Sequence, residues 1–335
     1  MDKEGFRQLL QERSIPEEKI EAFICVAEKF EGFVKATRRP GSDGPPTADD
    51  IRAFSAALVQ EKLNTYDNYR ALILYGRFLK NHGVFVAAVE LLDGAEVLES
   101  LYEKVGQSVG DQRRDEIFRG IELPLLGTPS TQKPKVTQAM MERLEQTVDP
   151  ETCQRILSSG LRRLNAEWFQ EARKKYLECD SLDQFLDRKG GDFVAQLEQI
   201  KRDGELYFTQ EITDEVIDFV QSHPEIRQGV REGDILYEIK IPYMAREYLA
   251  ETDERMKGYY YCHCPWVRES LRAGDVRVSP TFCHCSAGFT KKYWEVVLDQ
   301  PLEAEIVESV LQGDLWCKIA VHLPAQWEET ATIHV

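Results

Sequence analysis

Two short segments concentrate the residues able to do chemistry. Cys262-His263-Cys264-Pro265 and Cys283-His284-Cys285-Ser286 repeat the pattern Cys-His-Cys, and Cys317 follows in the same C-terminal stretch. In an extended segment residues i and i+2 share a face, so each pair of thiols is expected to point one way with its histidine opposite. Two such pairs can build a four-sulfur pocket. Each motif also precedes an expected helix start, Pro265 before Trp266-Val267-Arg268-Glu269 and Ser286-Ala287-Gly288 before a helix from Phe289 to Val297. The positive end of a helix favours a thiolate.

Three readings of this cluster stay open. In the first, Cys262, Cys264, Cys283 and Cys285 hold a metal, zinc ahead of iron, because zinc takes four soft or borderline ligands in a tetrahedron. The spacing is tighter than the usual Cys-x-x-Cys, and Cys317 and the histidines are surplus to one ion. In the second, Cys317 or Cys285 is a nucleophile with His284 or His263 as base, and helix N–H groups stabilise an oxyanion. In the third, the cysteines are small buried residues, which is also the reading for the scattered Cys25, Cys153 and Cys179. Aromatic residues around the cluster, among them Tyr261, Trp266, Phe282, Phe289 and Trp316, suit a small-molecule pocket and equally suit a core. Arg268, Lys291 and Lys292 are expected on solvated helix faces.

The elements that must position these groups divide the chain at a proline-rich stretch. Residues 1–122 read as helices: Ser14-Ile15-Pro16-Glu17 has the form of a capping box, Thr47 opens a second helix, and an aromatic helix through Tyr69, Leu72, Tyr75 and Phe78 stops near Asn81-His82-Gly83. The glycine- and proline-dense run from Arg38 to Pro46 separates the first two. Residues 123–134, with three prolines, are the expected linker. Residues 135–335 form the expected second domain, with helices at Val136 to Val148, after Asp149-Pro150, after Asn165 and after Ser181, the last broken at Gly190-Gly191. Strands are expected at Ile235 to Pro242, Gly258 to Cys264, Leu302 to Leu311 and Leu315 to Leu323, the last two joined as an antiparallel hairpin at Gln312-Gly313-Asp314. The fold class is α+β, a helical domain followed by a mixed one.

Two resemblances attach to these residues. The order of a Thr47-capped helix and an aromatic helix from Tyr66 to Leu79 is similar to the helical core-binding domain of tyrosine recombinases, without that family's catalytic residues. The succession Tyr261-Cys262-His263-Cys264-Pro265, Phe282-Cys283-His284-Cys285-Ser286-Ala287-Gly288-Phe289, then Glu308-Ser309-Val310-Leu311-Gln312-Gly313-Asp314 with Cys317, resembles an uncharacterised bacterial cysteine-rich family. That family is related to L-2-amino-thiazoline-4-carboxylate hydrolases and to the 4-vinyl reductase ligand-binding domain. The resemblance covers residues 135 to 325 and implies an α/β fold whose cysteines meet near a small-molecule pocket. Relatives of this kind include hydrolases of C–N bonds and ligand sensors, so a thiol-dependent hydrolase and a ligand-sensing regulatory protein stand beside the metal-binding reading.

Composition bounds the partners. The net charge is −16, from 58 acidic and 42 basic residues, which repels a phosphate backbone and makes nucleic acid an unfavourable partner. No apolar run spans a bilayer, and Met1-Asp2-Lys3-Glu4-Gly5 lacks the pattern of a secretory signal, so a cytoplasmic protein with reduced cysteines and a small-molecule ligand is expected.

Overall fold

The computed structural model describes residues 1–38 and 44–324. The expected break at Arg38 to Pro46 therefore lies partly outside the described residues, as does the end of the expected second domain. The chain divides into two compact units: Met1–Ala95 with Leu123–Lys133, and Glu96–Glu122 with the described part of Pro134–Val335.

The first unit is helical. Its helices are α1 (Lys3–Glu12), α2 (Glu17–Thr37), α3 (Ala48–Gln60), α4 (Tyr66–Phe78) and α5 (His82–Leu92). Phe6, Phe23, Phe30, Ile51, Tyr69 and Tyr75 fill its core. Thr47 and Asp50 form a reciprocal capping box on α3, as expected. Ser14 does not cap α2. It takes a φ of 53° and donates its N–H to Gln11 O, closing the end of α1, while Pro16 precedes α2 without a side-chain cap. Asn81 both ends one helix and opens the next: its N–H donates to Gly76 O at 3.0 Å, closing α4 near the expected place, and its side chain accepts from the Val84 N–H at 3.1 Å to cap α5.

The proline-rich stretch is packed into this unit rather than hanging between two. Asn64 Nδ2 donates to Leu126 O at 3.0 Å, and Ser55 Oγ donates to Gly127 O at 3.2 Å while bonding Tyr69 Oη at 2.7 Å. Gly127 has a φ of 88°, and a Cβ there would lie 1.8 Å from Tyr69 Oη, so only glycine fits. The excursion between these segments, α6 (Val97–Val109) and α7 (Asp111–Phe118), belongs to the second unit. Its apolar side chains Leu101, Val105 and Ile117 share a core with Met140, Leu157 and Val216. The described division thus differs from a boundary at 123–134, because buried side chains and not proline density decide which residues cohere.

The second unit continues with α8 (Lys133–Thr147), α9 (Pro150–Leu157), α10 (Gln170–Leu177), α11 (Leu182–Asp203), α12 (Asp214–Ser222), α13 (Pro224–Arg227), α14 (Ala245–Ala250), α15 (Glu254–Tyr261), α16 (Arg268–Ala273) and α17 (His284–Leu298). Asp149 and Ser181 cap α9 and α11 through their side chains. α11 runs unbroken through Gly190-Gly191: helix context overrides the glycine cost, and Gly190 lets Gln228 pack against the backbone, where a Cβ would meet its Oε1 at 2.5 Å.

A small ribbon pairs β1 (Leu206–Tyr207) with β2 (Gln210–Glu211). The main sheet is antiparallel in the order β3 (Val230–Glu232), β4 (Ile235–Ile239), β6 (Lys318–His322), β5 (Glu303–Glu308). The β5–β6 hairpin matches the expectation, with Gly313 at a φ of 100° in the connection and the Ser309 N–H donating to Asp314 Oδ2 at 2.7 Å. Along one face of this sheet lies α17, with Trp294, Val297, Leu236, Ile319 and Val321 in one core cluster. The unit is α+β, and α17 with the β5–β6 connection carries Cys283, Cys285 and Cys317, while Cys262 and Cys264 follow α15.

Gly258 to Cys264 is not a strand. Asp253 accepts from the Met256 N–H at 2.9 Å and starts α15, which runs to Tyr261; the run of tyrosines forms helix contacts instead of a pleat. Pro265 sits in a turn, and α16 begins only at Arg268.

Candidate thiol site

The two Cys-His-Cys motifs occupy different local structures. Cys262 follows α15 as its C-cap, in extended conformation. The second motif is helical: a 3₁₀ turn over Pro280–Cys283 runs into α17, so Cys283 is the N-cap, and His284, Cys285 and Ser286 form the first turn. In a helix, residues two apart point roughly 200° apart, so Cys283 and Cys285 cannot share a face.

Cys283 turns toward the β5–β6 connection. Its Sγ accepts from Ser309 Oγ at 3.2 Å, and its thiol hydrogen-bonds to Cys317, the residue just before β6. The hydrogen bond from Cys283, a second from the backbone of Val310, the charge of Lys240 and the Ser309 hydroxyl hold the Cys317 thiol below its ordinary value, against burial. Cys283 is pushed well above its ordinary value by its hydrogen bond with Cys317, with burial adding to the effect. The two thiols thus form a pair whose shifts run in opposite directions. Tyr261 supports it from behind, its buried hydroxyl donating to Cys317 O at 3.1 Å.

Cys285 and Cys262 behave differently. Burial pushes the Cys285 thiol up to about 12, with Cys264 adding to the rise, and burial pushes the Cys262 thiol up further, with Cys264 and Cys317 adding to it. Charge thus links Cys262 to Cys264, Cys283 and Cys317, and Cys264 to Cys285, and all five are free thiols. Among the described residues, however, no three His, Cys, Asp or Glu side chains are arranged to hold a metal ion. The expected ligand set of Cys262, Cys264, Cys283 and Cys285 is not assembled as a tetrahedral donor set, because α17 sends its two cysteines to different neighbours.

The two histidines of the motifs have different surroundings. His263 Nε2 is 2.7 Å from Ile241 O, a backbone tether, and no thiol hydrogen-bonds to His284 among the described residues. Burial lowers the pKa of His284, and the charge that acts on it is Glu305 on β5. A cation beside Cys317 and Cys285 is Lys240, just after β4, which the sequence reading missed; a lysine within the run Ile235 to Pro242 is the signal that could have found it. Arg268, expected on a solvated face, is 3% exposed, with its guanidinium 4.3 Å from the Tyr243 ring centre. Lys291 and Lys292 lie 4.0 and 3.9 Å from Glu295. Tyr261, Trp266 and Phe282 are core residues. A shallow surface groove of about 670 Å³ lies elsewhere, lined by Gly190, Gly191, Val194, Gln221 and Arg227.

The thiol ionisations predict alkaline sensitivity. Cys262, Cys283 and Cys285 have folded pKa values above the unfolded value near 9, so the stability they contribute is fully present below that pH and is lost as pH rises toward the folded values, about 12 for Cys285. Cys317, with a depressed value, contributes above the unfolded value and loses its contribution as pH falls through the folded one. With three groups against one, the urea midpoint of the second unit is expected to drop between pH 8 and pH 10. An unchanged midpoint contradicts the buried thiol assignment.

No helix among the described residues is long and apolar enough to cross a membrane. In comparisons with known proteins, no family model matches this chain, and neither a curated protein nor a solved structure is detectably similar to it.

Proposed function

We propose that the second unit is a thiol-dependent hydrolase site in which Cys317 is the nucleophile and Cys283 its hydrogen-bond partner, acting on a cyclic or amide C–N bond. The observation that carries this reading is the contact of Cys283 with Cys317 under the Ser309 hydroxyl. A thiolate is the nucleophilic form of cysteine, and a neighbouring donor and cation are what stabilise it. The Cys317 sulfur attacks the carbon of the C–N bond, and the nitrogen leaves with the proton held by Cys283. Water then releases the acyl group from Cys317 as a carboxylic acid and returns the proton to Cys283.

Iodoacetamide labelling of the native chain across pH, read by mass spectrometry at each cysteine with and without chelator, tests this. Cys317 is expected to label below the free-thiol range of about 8.5, at least about tenfold faster at neutral pH than Cys262 or Cys285. Cys283→Ala is expected to move that profile up. Uniform protection released only by chelator returns the cluster to a metal site, and unselective labelling of all five returns it to inert buried cysteines. Either outcome overturns the nucleophile.

A further inference from the structure

One contact near the thiols is unused by that chemistry. Lys240 Nζ donates to Ser286 Oγ at 2.8 Å, joining the end of β4 to the first turn of α17. A lysine is an unexpected choice there for stability alone. The N-terminus of a 15-residue helix is the positive end of its dipole, so a cation beside it is disfavoured. A structural partner for that position would be an acid or a neutral acceptor.

The surroundings act on the amine from several sides. Burial and the charge of Arg162, which precedes α10, lower its pKa, while Cys317, Cys285 and Glu238 on β4 oppose that shift. Its Nζ also lies 4.3 Å from the ring centre of Phe289, one turn after Ser286 on α17. A hydroxyl, an amine in contact with it and the positive end of a helix make up the serine–lysine form of nucleophilic catalysis, in which the amine becomes the base once pH rises far enough to remove its proton, and the helix dipole stabilises the oxyanion.

We infer that Ser286 and Lys240 form a nucleophile–base pair that cleaves small carboxylic esters by acyl transfer through Ser286. Ser286 Oγ bonds to the ester carbonyl carbon as its proton passes to Lys240 Nζ. The tetrahedral oxyanion collapses, the C–O bond to the alcohol breaks, and Lys240 returns the proton to the departing alkoxide. Water, deprotonated by Lys240, then releases the acid from Ser286 and restores both groups.

A fluorophosphonate probe applied to the full chain, with adducts mapped by mass spectrometry, tests the pair directly because it reports activated serines and not cysteines. The adduct is expected on Ser286, and p-nitrophenyl acetate hydrolysis is expected to rise with pH as Lys240 loses its proton. Lys240→Arg keeps the charge and the hydrogen bond but not the ability to accept a proton, and is expected to slow labelling by about 100-fold or more. Ser286→Ala is expected to abolish the adduct while leaving thermal unfolding in place. An adduct elsewhere, no adduct, or equal labelling of Lys240→Arg overturns the pair. Since Cys317 alkylation is read separately, loss of the Ser286 adduct with that alkylation intact sinks this inference alone.

Discussion

Trp294→Ala is expected to destabilise the second unit by about 3–5 kcal/mol, the largest effect of any single core truncation near the site. Trp294 is 0% exposed and meets Phe185 and Tyr293 edge to face, at centroid distances of 6.1 and 5.1 Å. Its Nε1 donates to Glu238 Oε2 at 3.0 Å, and Glu238 is also the ion-pair partner of Lys189. Alanine thus leaves both a cavity and a carboxylate with one bond fewer. The same side chain fixes α17 against β4, two residues before Lys240, so the variant is also expected to blunt the selectivity of Cys317 labelling. Trp294→Phe, which fills most of the space but loses the indole donor, should cost less. Urea denaturation of the full chain measures both; a loss under about 1 kcal/mol for alanine contradicts the role assigned to the contact.

Gly288→Ala should be destabilising by about 1–3 kcal/mol even though alanine is the better helix former. A Cβ at Gly288 would lie 2.7 Å from Ser158 O and 2.9 Å from Ser158 C, just past the end of α9. Backbone atoms cannot rotate aside as a flexible side chain can, so α17 must shift as a body. Gly191→Ala provides the contrast: it too lies inside a helix, α11, with nothing within 4 Å of an added Cβ, and is expected to stabilise by about 0.5–1 kcal/mol. Thermal unfolding of the two variants should move in opposite directions. If Gly288→Ala moves upward with Gly191→Ala, the close approach of α17 to Ser158 is not a constraint.

Local signals were legible where a side chain acts on its own neighbourhood. Thr47, Asp149 and Ser181 each cap a helix within three residues, so the start of each element could be read directly. The β5–β6 hairpin was legible for the same reason. Gly258 to Cys264 misled because its tyrosines favour strands on average, while the decisive residue, Asp253, lies five positions earlier as a helix cap. The thiol site was legible only in part. Cys317 was singled out from its position after the Gly313-Asp314 turn, but its partner could not be chosen among four cysteines without knowing that Cys283 and Cys285 sit in a helical turn and diverge. Lys240, Ser309 and Arg162 come from separate stretches of chain, and one sequence carries no sign of contacts made at that range.

The shared membership of the first unit has a consequence during synthesis. Its five helices emerge from the ribosome before α6 and α7, yet the segment that closes over Ser55 and Tyr69 at Gly127 emerges only after them. Until then the nascent first unit has an incomplete seal over its aromatic interior. Meanwhile α6 and α7 expose Leu101, Val105 and Ile117, whose packing partners, Met140 among them, are not yet made. Translation therefore holds two apolar surfaces open together for the time needed to add some forty residues, a few seconds at about 5–20 residues per second. That window is where a nascent-chain chaperone has most to protect.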